Sequence, residues 1–378
     1  MIVKRLIGWF VPFAIGAFIA SIGLFVGVRT AHAQGSSNCE STNTAPATFV
    51  ENCNGHRGVY GIEMRVVNAQ MVAHPNPGLT PLPTDDKMLY QRAYRKVLKA
   101  TDVYNAPGGG GVVSHLDGGF NFVNAGQLQN GFVEIRPGQW VPNDVLGPVN
   151  KAVSHFSGVA LPDGGMPAIG FGWVLDDDTK VSLWPGAKPL PNTPIIHRYT
   201  MVNFFATVDV DGWEWYMIGP RQWIIQKHVA YPHLAKRPDG VSGKWFAVDL
   251  FEQTLVAYQD DKPTFATMIS SGLPKFKTDE GLFKILSRYE EVKMSGASGQ
   301  PDFYYLPQVP FVQYFNQDEQ ALHGAYWHDY FGWPRSHGCV NMSLTDAQWA
   351  FNWTKDDPQA FVYVYHSHDP KAGTGSLK

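Results

Sequence analysis

The sequence predicts a mainly β protein in which two small β-modules precede a larger C-terminal β-domain. Three observations carry this reading. Between residues 101 and about 230, short runs of β-branched and aromatic residues are broken by Gly, Pro, Asn and Asp, the rhythm of short strands and tight turns. Two pieces of that region recur. Residues 103–108, VYNAPG, return as 181–186, VSLWPG, and residues 135–141, IRPGQWV, return as 218–224, IGPRQWI. Offsets of 78 and 83 residues indicate two copies of one unit with a few residues inserted. Thirdly, residues 244–257, KWFAVDLFEQTLVA, alternate as a hairpin does: Phe246, Val248 and Leu250 point one way, and Leu255 and Ala257 return.

The chain opens with Lys4 and Arg5, then runs without a charge from Leu6 to Val28, before Ala31-His32-Ala33 offers an A-x-A cleavage site. A positive start, an apolar stretch and a small-residue site are the parts of a secretory signal. The apolar run is also long enough to cross a bilayer of about 30 Å. Residues 1–33 are thus read as a signal peptide or a retained membrane anchor, and the rest of the chain as exported. A net charge of −3, with no basic run, argues against nucleic acid as a partner. Cys39 and Cys53 lie in a polar stretch and Cys339 stands apart, so an oxidising compartment predicts a Cys39–Cys53 disulfide and a free Cys339.

Residues 34–100 read as a polar lead-in, a Pro-rich connector at 73–83 and a helix at 85–100. Thr84 or Asp85 caps that helix, and Leu89, Ala93 and Val97 recur at helical spacing. The modules are expected at 101–150 and 172–232. Trp140 and Trp223 within them read as core residues rather than ligand contacts. Residues 240–243 form a hinge into the last domain, 243–366. There Ser343 and Asp346 are spaced as a capping box for a helix at 344–353, and 363–365 read as a closing strand. Residues 367–378 are expected to be a tail.

The chemistry concentrates in residues 321–341, ALHGAYWHDYFGWPRSHGCVN, which hold one thiol and three imidazoles. The thiolate is the attacking form of cysteine, and a free thiol is mostly protonated at neutral pH. A neighbouring imidazole is therefore needed to take the proton and return it to a leaving group. Gly338 frees the backbone just before the sulfur, so N–H groups around Gly338 and Cys339 are candidates to hold an oxyanion. Cys and His are also zinc ligands, but no second Cys or C-x-x-C accompanies Cys339.

Ser336-His337-Gly338-Cys339, with His323-Gly324 upstream, resembles the signature of the L,D-transpeptidase (YkuD-type) catalytic domain. Residues 244–257 resemble its opening hairpin and 278–285, TDEGLFKI, its T-P-x-G-x-F-x-I segment, with Asp279 where Pro is usual. Residues 309–315 resemble the stretch before its catalytic His. Two departures stand out. Only twelve residues separate His323 from Ser336, and Asn341 occupies a position where many members carry Arg, as in an Asn-bearing branch of the family.

The resemblance implies a β-sandwich catalytic domain acting on peptidoglycan stem peptides outside the cytoplasm. Cys339 would be the nucleophile and His323 its base, oriented by the Gly324 carbonyl. His337 and Gly338 would shape the oxyanion peptide, and Tyr314, Trp327, Ser336 and Asn341 would line the pocket. His328 reads as a loop residue. The implied product is a 3→3 cross-link with release of D-Ala and no metal or organic cofactor, and carbapenem-type β-lactams would acylate the thiol. An L,D-carboxypeptidase and a non-catalytic wall-binding scaffold are the alternatives. The repeated unit, a strand, a P-G turn and a closing x-Q-W-[VI], resembles a bacterial SH3-like module.

Overall fold

The computed structural model describes residue 62 and residues 64–368, apart from 163–164, 190 and 297–301, with the backbone of four short strands between 32 and 59. The fold is mainly β. Its centre is a six-stranded sheet in the order Val159–Ala160, Lys262–Met268, Thr254–Gln259, Lys244–Asp249, Phe361–Tyr365, Gly281–Lys284. The hairpin expected at 244–257 forms, with Ala247 opposite Val256, and the closing strand lies parallel to its first arm. Both faces of that hairpin are buried. Trp245, Ala247, Val256 and Tyr258 enter one core, and Phe246, Val248, Leu255 and Ala257 enter the other. A fully buried side chain of this size stabilises by about 1.5–3 kcal/mol. The sheet is therefore the frame on which the rest is fixed.

A second sheet carries His323, Asn341 and Tyr314 of the candidate site. Its order is Val340–Met342, Ala321–Gly324, Tyr304–Tyr314, Phe120–Asn124, Tyr94–Lys96, and Ser287–Gly296 also pairs with Tyr304–Tyr314. Phe120–Asn124 comes from the first repeated unit, yet lies parallel to Tyr304–Tyr314, with Phe120 opposite Tyr304 and Asn121 opposite Tyr305. Helix Leu344–Thr354 follows, and Ser343 caps it by accepting the Asp346 N–H.

The helix expected at 85–100 is a correction. Asp85 does cap a helix, accepting the Lys87 N–H at 2.9 Å, but that helix is only Asp86–Leu89. Tyr94–Lys96 is instead a strand paired with Phe120–Asn124. The side chains of Asn124 and Asn150 take the N–H groups of Ala93 and Tyr94, and the Tyr94 ring stacks on Tyr326 at 3.5 Å. Leu89 and Val97 are both fully buried, but in different cores. Those distant partners outweigh a helical preference worth a few tenths of a kcal/mol per residue. Helix Met64–Ala73, which the sequence pattern did not suggest, presents Val67 to a core with Val208 and Trp223.

The internal repeat recurs in the geometry. Hairpin Phe132–Arg136/Gln139–Pro142 has a register shift between Glu134 and Arg136, and hairpin Trp213–Gly219/Gln222–Ile225 has one between Met217 and Gly219. Each turns through a Pro followed by a residue with positive φ, Gly138 or Arg221. Each continues into a 3₁₀ turn, at Asn143–Val145 or Gln226–His228. Trp140 pairs with Tyr104, and Trp223 pairs with Ser182 at the equivalent place. Both indoles are buried.

The charge-free run at 6–28 and the tail from 369 lie outside the described residues; of the expected cleavage site only the backbone of His32–Ala33 is described, paired parallel with Ala206–Val210. Among the described residues no helix is long and apolar enough to cross a membrane. In the strands Cys39–Ser41 and Val50–Cys53 the antiparallel register sets Cys39 opposite Cys53; their side chains lie outside the described residues.

Candidate active site

Strand Ala321–Gly324 lies parallel to Val340–Met342, with Leu322 opposite Val340 and His323 opposite Asn341. Cys339 immediately precedes the second strand, so strand pairing alone brings the thiol beside the strand that carries His323. The Ala321 N–H is set to donate to the sulfur. Burial nevertheless pushes the thiol up to about 11, and the Glu319 carboxylate adds to that rise.

His323 is 2% exposed, and burial lowers it to about 4. Its Nδ1 faces the Gly324 carbonyl at 3.3 Å, which puts the proton on Nδ1 and leaves Nε2 as acceptor. The resting pair at neutral pH is thus neutral imidazole and thiol, not an ion pair. Trp327 packs over His323, with ring centroids 5.6 Å apart.

The peptide before the sulfur is pinned on both sides. Ser336 Oγ donates to the Cys339 carbonyl and accepts the Gly338 N–H at 3.1 Å. Thr278 Oγ1 donates to the Gly338 carbonyl at 2.8 Å and accepts the Gly272 N–H. Gly338 has φ +118°, a backbone conformation that favours glycine, and a Cβ there would stand a tight 3.1 Å from Gln320 Nε2. The Gly338 N–H, one of the expected oxyanion donors, is thus engaged by Ser336. Gln320 accepts the Asp279 N–H and donates to the Lys277 carbonyl, tying the 277–279 segment to the His323 strand.

The remaining candidates occupy distinct places. His337 is exposed, clasped between Phe276 at 4.2 Å and Tyr304 at 4.9 Å. Desolvation lowers its pKa; Asp302 opposes that shift and Lys275 adds to it. Tyr314 is half-buried, its hydroxyl raised first by burial and then by Cys339, and Tyr304 is raised for the same reasons. Ser336 and Asn341 are buried beneath the pocket wall. Asn341 meets His328 Nε2 at 2.9 Å, while His328 Nδ1 accepts the Tyr330 N–H at 3.4 Å. With Nδ1 accepting, the proton sits on Nε2; the atom recorded beside it is Asn341 Nδ2, and turning the amide over gives that proton an acceptor and gives the otherwise partnerless Asn341 Oδ1 a partner. His328, lowered to about 3 by burial, is held away from the thiol in that pair.

Loop 325–335 rests on upstream residues. Ser154 and Tyr199 both donate to the Asp329 carboxylate, and Tyr199 also accepts the Phe331 N–H. Arg198 lies 4.4 Å over the Tyr330 ring. No local pattern pointed to Ser154 or Tyr199, since they lie far from the loop in sequence. Gln320 and Ala321 sit inside the stretch read for chemistry, but an amide clamp and a backbone donor have no sequence signature. Among the described residues no group of three or more His, Cys, Asp or Glu converges as a metal would require.

With this geometry in view, comparison with known proteins identifies the C-terminal unit. Residues 243–364 match the YkuD family, the L,D-transpeptidase catalytic domain. The YkuD match spans the hairpin, the His323 strand, Cys339 and the closing strand. No curated protein matches the chain. Among solved structures, L,D-transpeptidase 3 from Mycobacterium tuberculosis is 22% identical over 33% of this chain and 61% of its own, with a TM-score of 0.31. An L,D-transpeptidase from Stackebrandtia nassauensis is 26% identical over 34% of this chain and 58% of its own, TM-score 0.28. The catalytic domain of an E. faecium L,D-transpeptidase is 24% identical over 33% of this chain and 99% of its own, TM-score 0.30. The chain thus spans about three fifths of the first two, and each of these three likenesses covers about a third of this chain.

Proposed function

We propose that this protein is an exported peptidoglycan L,D-transpeptidase that works through a thioester on Cys339. The observation that carries the reading is the pairing of the His323 strand with the strand that directly follows Cys339, inside the YkuD match. His323 Nε2 takes the thiol proton as the sulfur attacks the carbonyl between the third, diamino residue and the fourth, D-Ala. The Cys339 N–H stabilises the oxyanion, and backbone donors of this kind act where charge develops. His323 then protonates the departing D-Ala amine. The side-chain amine of a second stem attacks the thioester and forms a 3→3 cross-link. Tyr314 and Trp327 border the cleft in which the donor lies, and Thr278 and Ser336 hold the peptide that carries the sulfur.

The upstream units would act as SH3-like spacers on the wall, and the N-terminal run would export or anchor the chain. A carbapenem-type β-lactam would acylate the same thiol. Incubation with a tetrapeptide muropeptide tests the reading. Cross-linked dimer and free D-Ala are expected from wild type and neither from Cys339→Ser. Free tripeptide alone would make the protein a carboxypeptidase. No turnover, with an unmodified thiol, would leave the scaffold alternative.

A further inference from the structure

Glu319 stands closer to the nucleophile than any role described so far requires. Its carbonyl oxygen lies 3.9 Å from Cys339 Sγ. Its side chain is exposed, and its φ is +58°, a region that non-glycine residues seldom occupy. Its carboxylate adds to the rise of Cys339, Tyr304 and Tyr314. Among the described residues no Lys or Arg pairs with it.

Two costs follow. A glycine would suit the backbone better, and a carboxylate beside a thiol disfavours the thiolate that must attack the donor. Neither cost is recovered during acylation or hydrolysis, because water carries no charge for a carboxylate to attract. An amine acceptor is different. It arrives as an ammonium and must wait beside the thioester until it is deprotonated.

We propose that Glu319 selects the acceptor by receiving its ammonium next to the Cys339 thioester, favouring an amine over water. The inference rests on the transpeptidase reading above. The Glu319 carboxylate takes one proton from the docked ammonium and later returns it to solvent. The amine lone pair then attacks the thioester carbonyl. The C–N bond forms, His323 takes the second proton, the C–S bond breaks, and the departing thiolate recovers that proton as a thiol. Tyr304 and Tyr314, both raised in part by Cys339 and Glu319, would offer aromatic faces to the same ammonium.

The test compares wild type with Glu319→Gln and Glu319→Gly in full-length protein, using the tetrapeptide muropeptide as donor and acceptor. Carbapenem acylation, followed by intact mass, reports that each variant is folded. It should be faster in both, because the charge opposing the thiolate is gone. The ratio of dimer to tripeptide should fall about tenfold or more, the worth of one hydrogen bond to a charged group. Added salt should lower that ratio in wild type and leave the Gln variant unmoved. Glu319→Asp should retain part of the ratio. An unchanged ratio in both neutral variants, with wild type still making dimer, overturns the inference and spares the transpeptidase reading. Wild type that yields only tripeptide overturns both.

Discussion

At the scale of single residues, the proposed reactive pair rests uncharged. Burial lowers His323 to about 4 and raises Cys339 to about 11, so the proton moves only when a substrate engages the thiol. The sign follows directly. A base held at about 4 stays neutral as pH falls from 8 to about 5, whereas an ordinary imidazole is lost near 6.5. Carbapenem acylation of wild type should therefore hold down to about pH 5 before it declines. An inflection well above pH 5 would mean that a more exposed imidazole, such as His337, is the base. His323→Ala should slow acylation by about 10²–10⁴-fold, the usual worth of a general base. His328→Ala should cost much less, because both its nitrogens are already engaged, with Asn341 and the Tyr330 N–H. The two imidazoles were separable in the sequence by the His-Gly pair alone. Their partners were not, since nothing local says that Asn341 turns inward.

Among the elements, legibility tracked how local the deciding contacts are. The hairpin at 244–257, the capped helix after Ser343 and the closing strand follow from alternation and capping within a few residues, and all three form. The stretch 85–100 failed because its fate is decided by Asn124, Asn150 and Tyr326, none of them near in sequence. The repeat was visible as two short echoes, and it survives as the same turn, register shift and buried Trp twice over. The segment 278–285 gave its family likeness, but not its task, which is to hold the Gly338 carbonyl through Thr278. Thr278→Val keeps the shape and removes both hydrogen bonds of the hydroxyl. Acylation should slow by about tenfold or more as the peptide before the sulfur loosens, at a cost of about 1–3 kcal/mol in stability. Unaltered acylation in a folded variant would show that Ser336 alone is enough.

Across the whole molecule, the reactive loop is seated on the upstream chain. Tyr199 bridges Asp329 and the Phe331 N–H, Gly332 is packed so closely that a Cβ would meet Leu175 at 2.2 Å, and Trp327 and His328 lie on the same loop. Tyr199→Phe should lower stability by about 1–3 kcal/mol and slow acylation together, measured by thermal melting and carbapenem capture. Melting that shifts with no change in capture would confine the bridge to folding. A last consequence concerns descent. Phe120–Asn124 is continuous with one unit and paired into the sheet of another. A crossover between the genes of two such chains, cut anywhere from 125 to 243, would join Tyr304–Tyr314 to a foreign neighbour and leave its edge badly matched. Shuffling, which freely recombines beads on a string, is penalised here, and the first unit and the reactive domain are bound to be inherited as one.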